Sequence, residues 1–454
     1  MALVEQMDRI HSRPTAGLTY NPNEPKYWDR AALEGEIERV FDICQGCRLC
    51  FNLCPSFPEL FGAIDIFDGD VRALSAAQKK RVVDLCYGCK LCEVRCPYTP
   101  HEGHEFQLDF PRLMLRARAV EARDHGLGLR EKMLGNPDRL GKLGSMVPKV
   151  ANWACRSPVQ RAMMEKMLGI AREKKLPEFA GETFRAWLER TGIPAAPAEP
   201  AAKVAIFHTC FVDYYNPAPG RALVSVLERN RCAIASPVQN CCGMPALDGG
   251  DVAFAQRLAR SNIASILPLV RQGYRVAAIN PTCSLMMRKE YPDLVDTAEA
   301  RELAAAVADP HELLYALRRE GKFNREFRTT PGKVACHVPC HLKAQNVGLR
   351  SRDFIRSIPG AEVVTVDACT AHDGTWAMKK EFFALSMTWG EKAFAGMKDA
   401  QAQVLATDCP LAAIQIEQAI GVRPLNPIEI LARAYESDGF AQPVPPPEPT
   451  SVQE

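Results

Sequence analysis

From Ala31 to Phe41 the apolar residues Leu33, Ile37 and Val40 recur at helical spacing, which predicts a short amphipathic helix. Residues 1–30 before it are polar and dotted with proline, and read as an extended arm. Asn52 to Lys80 reads as a linker stretch between two cysteine runs. From Pro111 to Arg190 the pattern is helical, broken at Pro137, Pro148, Pro158 and Pro177. Thr191 to Ala202, TGIPAAPAEPAA, is a proline–alanine linker and the clearest domain boundary. The tail after Gln442, PVPPPEPTSVQE, reads as disordered.

Between Lys203 and about Gly439 one unit occurs twice. Each copy opens on a short strand, KVAIFHTC ending at Cys210 and KVACHVPC ending at Cys340. Helices follow at about Arg221–Asn230 and Ser351–Ile358. A second strand precedes Cys241–Cys242 in one copy and Cys369 in the other. Long helices, Asp251–Arg271 and Trp376–Met397, lead to a third strand before Cys283 and Cys409. The spacings agree: 32 and 29 residues for the first interval (Cys210–Cys242, Cys340–Cys369), 41 and 40 for the second (Cys242–Cys283, Cys369–Cys409). An internal duplication accounts for this. Strands alternating with helices imply a parallel sheet per repeat, with ligands beyond the carboxyl ends of the strands. Every repeat cysteine except Cys232 and Cys336 falls there, so the cysteines converge at one edge of each sheet. Cys232 reads as core, and Cys155, alone in a helical region, as structural.

The chain has 454 residues, enough for two to four domains. Apolar residues make up 47%, which excludes wholesale disorder, and the net charge of +2 gives no field for nucleic acid. No stretch approaches the roughly 18 apolar residues that span a bilayer. The 18 cysteines change the picture. A secreted disulfide framework would account for the number, but Met1–Leu18 has no apolar signal region and the cysteines cluster as metal ligands do. A cytoplasmic chain, or one peripheral on the inner membrane, is expected. Arg112–Lys175 carries 15 Lys/Arg against 6 Asp/Glu, with Leu140, Leu143, Met146, Val147, Val150 and Trp153 interleaved. Such a stretch can lie on an anionic membrane, dock a partner, or form an interdomain layer with a solvated basic face.

Cys44-x₂-Cys47-x₂-Cys50-x₃-Cys54-Pro55 recurs as Cys86-x₂-Cys89-x₂-Cys92-x₃-Cys96-Pro97. This is the run of two-cluster bacterial ferredoxins, in which the fourth cysteine ligates the other cluster. Cys44, Cys47, Cys50 and Cys96 are expected to hold one [4Fe–4S] cluster, and Cys86, Cys89, Cys92 and Cys54 the second. Gly46 and Gly88 are expected to allow close backbone approach. Zinc could explain one C-x₂-C pair, but not a doubled four-cysteine run with proline after each.

Cys241-Cys242-Gly243-Met244-Pro245, NPTCS around Cys283, CHVPCHL around Cys340 and TDCPLA around Cys409 resemble the cysteine-rich CCG domain. A two-cluster ferredoxin segment followed by two such domains resembles one family over roughly residues 35–435. That family holds the C subunit of anaerobic glycerol-3-phosphate dehydrogenase and proteins like the D subunit of heterodisulfide reductase. The resemblance implies one or two further iron–sulfur clusters, on Cys210, Cys241, Cys242 and Cys283 and on Cys340, Cys369 and Cys409. In heterodisulfide reductases five cysteines per domain hold a special cluster that cleaves a disulfide. Here Met286, Thr370 and Ala412 stand at cysteine positions of that pattern. Repeat two has three thiols, with Cys336, His341 or His372 open as a fourth ligand. His208 and His337 also fall near strand ends, and any of these histidines could tune a cluster by a hydrogen bond instead.

The expected fold class is α+β multidomain: a helical bacterial-ferredoxin-type 2[4Fe–4S] domain followed by two duplicated α/β CCG domains. The expected boundaries are 1–30 (arm), 31–110 (ferredoxin-type), 111–190 (basic helical), 191–202 (linker), 203–328 and 329–440 (repeats) and 441–454 (tail). The function this implies is an iron–sulfur subunit relaying electrons from a flavoprotein dehydrogenase, of the glycerol-3-phosphate, glycolate or lactate type, to a quinone or other acceptor. No flavin or nicotinamide fingerprint is visible; Gly249–Gly250 lacks the G-x-G-x-x-G form, so a redox partner is needed. The alternatives are a heterodisulfide or thiol–disulfide reductase-like enzyme and a redox partner of a non-haem iron stress protein.

Overall fold

In a computed structural model the described residues are 11–444. Residues 1–10 of the expected arm and 445–454 of the expected tail lie outside them.

Helix α1 runs from Arg30 to Cys47, with the Asp29 side chain accepting a hydrogen bond from the Ala32 N–H as its cap. It is longer than the apolar pattern predicts and ends inside the first cysteine run. Its apolar face continues through Phe41 and Ile43, and Arg48 closes it in the left-handed region at φ 52°. The expected linker is instead largely helical: α2 (Ser56–Asp65) and the first half of α3 (Ala76–Leu85). Phe57, Leu60, Phe61 and Ile64 recur there at helical spacing and are buried, and a Ser75–Gln78 capping box starts α3. After α4 (Leu91–Arg95) and α5 (Phe110–His125) come α6 (Leu129–Leu134), α7 (Pro137–Met146), α8 (Pro148–Arg156), α9 (Pro158–Leu168) and α10 (Phe184–Thr191). Three of the prolines expected to break this region start helices, since a first-turn residue needs no N–H partner.

The strands are β1 (Lys203–Phe207), β2 (Ala233–Ala235), β3 (Arg275–Ala278), β4 (Val307–Ala308), β5 (Thr329–Thr330), β6 (Lys333–His337), β7 (Glu362–Val366), β8 (Val404–Thr407) and β9 (Gln442–Pro443). Repeat one has the order β2-β1-β3-β4 and repeat two β7-β6-β8, all parallel. In each repeat the first strand is central, between the second and the third. Gln442 and Pro443 pair antiparallel with Thr330 and Thr329, so the expected disordered tail begins with an ordered pairing. The helix expected over Trp376–Met397 is a 3-10 turn at Trp376–Met378 and a helix from Phe383 to Asp399; the Trp376 indole is turned aside to donate to the Asp84 carbonyl.

Strand alternation decides which face meets which neighbour. Val204 and Ile206 join Val334 and Cys336 in one core shared by the two repeats. Ala205 and Phe207 face the helix Val252–Arg271. Ala335, Val366 and Leu405 pack on Phe394 and Met397 of the last long helix. A polar network crosses the repeat boundary. Asp408 accepts a hydrogen bond from Ser351 at 2.8 Å, and the His311 Nδ1 lies 3.2 Å from Asp309 and 3.5 Å from Asp408.

Candidate iron–sulfur sites

The last turn of α1 carries Cys44 and Cys47 three residues apart, on one face. The left-handed Arg48 reverses the chain to bring Cys50 back. Cys96 arrives from the second run, and these four thiols line one small cavity with Phe57, Phe61 and Leu108. Burial, then Cys50, Cys96 and Cys47, push the Cys44 thiol well above the ordinary thiol range. Four sulfurs crowded together resist ionisation unless a positive centre lies between them, and an iron–sulfur core supplies one. The donor set therefore fits such a group.

Cys54 returns from the first run to the second. It is buried, and Cys86 is the first thiol that raises it; Cys92 in turn is raised by burial and then by Cys54 and Cys86. Cys89 also senses Cys54, but the first cause of its shift is Cys369 of repeat two, which lies beside it. Gly88 is left-handed at φ 62° and packs near Asp248 and Asp373. Gly46 differs from expectation: it lies inside α1, and a Cβ there would meet nothing within 4 Å.

In repeat one, Cys210 follows β1, Cys241–Cys242 follow β2, and Cys283 follows β3 on a short helix capped by Asn280. The Cys210 and Cys241 sulfurs are 4.0 Å apart. Cys241 lies beside Cys242, and Cys242 beside Cys283. Gly243, at φ 96°, makes the turn after the pair, with the wholly buried Met286 against it. Three groups that spacing does not reveal fix this turn. Asp138 of α7 accepts the Cys241 N–H at 2.5 Å, the Asn262 amide donates to the Cys241 carbonyl at 3.1 Å, and the Tyr291 hydroxyl donates to the Cys242 carbonyl at 2.8 Å.

In repeat two, Cys340 lies beside Cys369, and the His372 Nε2 lies 3.5 Å from the Cys409 sulfur. Burial lowers the His372 pKa to about 3, so the ring is neutral. Its Nδ1 accepts the Gly374 N–H, which leaves the proton on Nε2, aimed at the Cys409 sulfur. His372 therefore suits tuning of a sulfur rather than ligation. The other candidates are turned elsewhere. Cys336 faces the shared core beside Asp408 and Arg352. His341 bonds Thr282 and the Gly88 carbonyl, and His337 bonds Thr407 and the Ala368 carbonyl. His208 sits against Phe184, and Cys232 is buried in the shared core. Backbone N–H groups of Ala371 and Ala412 point at the sulfurs of Cys369 and Cys409.

Both repeat sets open on one cavity of about 420 Å³, roofed by α6–α9. None of the 18 cysteines forms a disulfide.

Residues 204–288 and 334–417 match the cysteine-rich domain family, CCG. Over 313 residues the chain is 30% identical to the C subunit of the anaerobic glycerol-3-phosphate dehydrogenase of Escherichia coli (strain K12), an alignment covering 67% of this chain and 77% of that protein. The chain belongs to this family. It is also 24% identical over 318 residues to the B subunit of the fumarate reductase (CoM/CoB) of Methanothermobacter marburgensis, covering 66% of this chain and 59% of that one. Lactate utilization protein A of Bacillus velezensis is 27% identical over 218 residues, 46% of this chain and 87% of that protein. The two matched segments hold β1, β2 and β3 of the first parallel sheet and all of the second; β4 lies beyond the first segment. Cys155, expected to be structural, lines the shared cavity. No helix among the described residues is long and apolar enough to cross a membrane.

Proposed function

We propose that this chain is an electron-transfer subunit that takes electrons from a flavoprotein dehydrogenase and passes them to a quinone or another acceptor. The observation that carries the reading is a succession of thiol sets leading inward. Cys47 is exposed in the set Cys44, Cys47, Cys50 and Cys96. The buried Cys54, Cys86 and Cys92 follow, and Cys89 touches Cys369 in the set with Cys340 and Cys409. Cys44, Cys47, Cys50 and Cys96 would hold one [4Fe–4S] cluster, and Cys54, Cys86, Cys89 and Cys92 a second. Cys210, Cys241, Cys242 and Cys283 would hold a further iron–sulfur group, and Cys340, Cys369 and Cys409 another. Bound there, such groups supply one-electron steps that divide a flavin's electron pair. The chain's own residues bury the inner sets and fix their sulfurs by backbone N–H groups. The similarity to a glycerol-3-phosphate dehydrogenase component and to a lactate utilization protein supports a partner dehydrogenase of the glycerol-3-phosphate, glycolate or lactate type.

The test is anaerobic purification of the full chain, with iron analysis and low-temperature magnetic resonance. The expected result is about eight irons or more and magnetic interaction between reduced clusters. Reduction by a reduced flavoprotein dehydrogenase should follow. Four or fewer irons that reconstitution cannot raise would overturn the reading.

Peripheral membrane contact belongs to the same proposal. On α7–α9, Met146, Val147, Val150, Trp153, Val159 and Met167 are exposed in a stretch rich in Lys and Arg. Binding to anionic vesicles should be strong at low salt and fall at 1 M, where the Debye length is about 3 Å. No binding at low salt leaves the exposed face to a protein partner.

A further inference from the structure

The boundary between the repeats carries a further cluster of ligating side chains, separate from the cysteine sets. Asp309 caps the helix Pro310–Arg319, and its Oδ1 accepts the His311 N–H at 2.9 Å. His311 turns its ring back beside that cap. Repeat two supplies the rest: Asp408 follows β8, and Ser351 lies on the helix Arg350–Arg356. All four are buried; Asp309 and Asp408 are 2% exposed and His311 1%. The His311 Nδ1 meets three oxygens: Asp309 Oδ1 at 3.2 Å, Asp408 Oδ1 at 3.5 Å and the Ser351 hydroxyl at 3.4 Å.

Hydrogen bonds alone leave this cluster unsatisfied. A single Nδ1–H serves one oxygen well, not three. Among the described residues, the buried Asp309 Oδ2 and His311 Nε2 have no hydrogen-bond partner. Nor does any described Lys or Arg pair with Asp309 or Asp408. A neutral imidazole therefore leaves two buried carboxylates uncompensated. A protonated one still leaves an excess of negative charge, and it buries a charged Nε2–H with no acceptor. Protonating Asp408 as well balances the charge but not that N–H. Each of these states is costly, because a buried charge needs a counter-charge and hydrogen bonds. Burial opposes a proton on His311, yet Asp309 and Asp408 outweigh it and raise its pKa, so the cluster attracts positive charge.

A divalent ion meets these demands together. Two carboxylates neutralise it, and a neutral imidazole binds it through Nδ1. Asp309 can offer both oxygens, which gives Oδ2 a partner and the ion a fourth donor. The Ser351 hydroxyl donates to Asp408 at 2.8 Å and holds that carboxylate in place. Ligand atoms of Asp309, His311 and Asp408 all lie within 4.8 Å of one another. Donors about 2.1 Å from a tetrahedral ion stand about 3.4 Å apart, and the two carboxylates lie 3.2 and 3.5 Å from Nδ1. Calcium asks for about six to eight oxygens, more than the cluster has. We propose that Asp309, His311 and Asp408 form a structural zinc site that staples repeat one to repeat two. The site has no thiolate, so it is independent of the iron–sulfur sets and of the electron-transfer reading.

The experiment uses the full chain, purified anaerobically with its iron from cells grown with zinc. Metal analysis should give about one zinc per chain beside the iron. X-ray absorption at the zinc edge should show only nitrogen and oxygen neighbours, at about 2.0–2.2 Å. Asp309→Asn keeps a capping oxygen and removes a charged ligand, so zinc should fall at least tenfold with iron equal to wild type. His311→Gln should do the same. Asp438→Asn, at an exposed turn, should keep the zinc. Sulfur neighbours at about 2.3 Å would put the zinc on cysteines and overturn the site with no variant needed. An iron-replete chain without zinc overturns it too. Zinc that both variants retain overturns the ligand set. Another divalent ion in the same nitrogen–oxygen shell overturns the choice of zinc and keeps the site. A chain that holds zinc but no iron overturns the relay reading and keeps the site.

Discussion

The thiol of Cys89 lies beside the thiol of Cys369, which joins the second ferredoxin-type run to the second cysteine-rich repeat. The neighbouring Cys340 and Cys89 thiols, with the Ala371 N–H, hold Cys369 well below the ordinary thiol range although it is buried. The Trp376 indole N–H donates to the Asp84 carbonyl, and His341 bonds the Gly88 carbonyl, so the run is pinned to the repeat on both flanks. On the proposed relay, an electron passes here from the set with Cys89 to the set with Cys369. Cys369→Ser should leave the irons on the two ferredoxin-type sets in place, about eight. It should slow reoxidation of the reduced chain by a quinone at least tenfold, read by the visible absorbance in stopped flow. Unchanged reoxidation would move the exit elsewhere.

Cys54 lies beside Cys86 and Cys92, away from its own run, and Cys96 lies with Cys44, Cys47 and Cys50. Cys54→Ser should therefore disturb the cluster on Cys86, Cys89 and Cys92. Iron should fall by up to about four atoms, and magnetic interaction between the reduced clusters should be lost. Loss of the cluster on Cys44, Cys47 and Cys50 instead would rule out the crossing.

Lys90 and Glu290 form a buried ion pair that ties the second cysteine run to repeat one. Burial opposes ionisation of Glu290, but Lys90 and Arg112 outweigh it and hold its carboxyl at about 2. A depressed carboxyl contributes stability that is fully present above its unfolded value near 4.5 and lost as pH falls through 2. The shift corresponds to about 3 kcal/mol. Lys90→Met should cost roughly 3 kcal/mol at pH 7, because it strands a buried carboxylate. The cost should shrink as the pH falls from 4.5 towards 2, followed by denaturant unfolding under argon. A cost that is constant over that range would assign the effect to packing.

Local chemistry was legible in the sequence, and contact between distant elements was not. The doubled cysteine run and the matched spacings after each strand located the thiol sets, because ligand spacing and strand ends are properties of short segments. Pro137, Pro148 and Pro158 marked boundaries for the same reason. The 52–80 stretch shows the opposite case. Phe57, Phe61 and Ile64 have helical spacing, but the flanking cysteines drew the stretch into a linker reading. Asp138 sits at the start of a helix in a basic region, and nothing near it in sequence points to the Cys241 N–H 103 residues away. The role of His372 depends on which ring nitrogen Gly374 occupies, a matter of backbone placement that composition cannot encode.

Lys174 lies buried between the basic helical region and repeat two, where its ammonium donates to the Gln415 amide oxygen. Burial lowers its pKa to about 7. A folded-state pKa below the unfolded 10.5 means that the charged form costs stability. The cost is complete below pH 7 and is relieved as pH rises from 7 to 10.5. Lys174→Met removes it but leaves the Gln415 oxygen unpaired, which gives back about 1–3 kcal/mol. The net expectation is roughly 2–4 kcal/mol of added stability at pH 6, fading by pH 10.5. A variant less stable than wild type at pH 6 would mean that the hydrogen bond outweighs the buried charge.

The isolated chain should show no substantial heterodisulfide or simple disulfide reductase activity. Cleaving a disulfide at an iron–sulfur centre requires irons that open to take two substrate sulfurs, and the resemblance to heterodisulfide reductases ties that to five thiolates per domain. In repeat one the position is Met286, which is wholly buried against Gly243 and offers only an uncharged thioether. In repeat two Thr370 and Ala412 stand at two of the five positions, and Ala412 contributes only its N–H, to the Cys409 sulfur. His372 supplies a donor to that sulfur rather than a thiolate. These sets suit closed centres that pass electrons. Reduced viologen, iron-replete protein and a panel of thiol disulfides under argon provide the assay. Turnover at about 1 s⁻¹ or faster, an ordinary enzymatic rate, would overturn the electron-carrier reading. Inactivity with disulfides, together with rapid reduction by a flavoprotein dehydrogenase, is the expected pair of results.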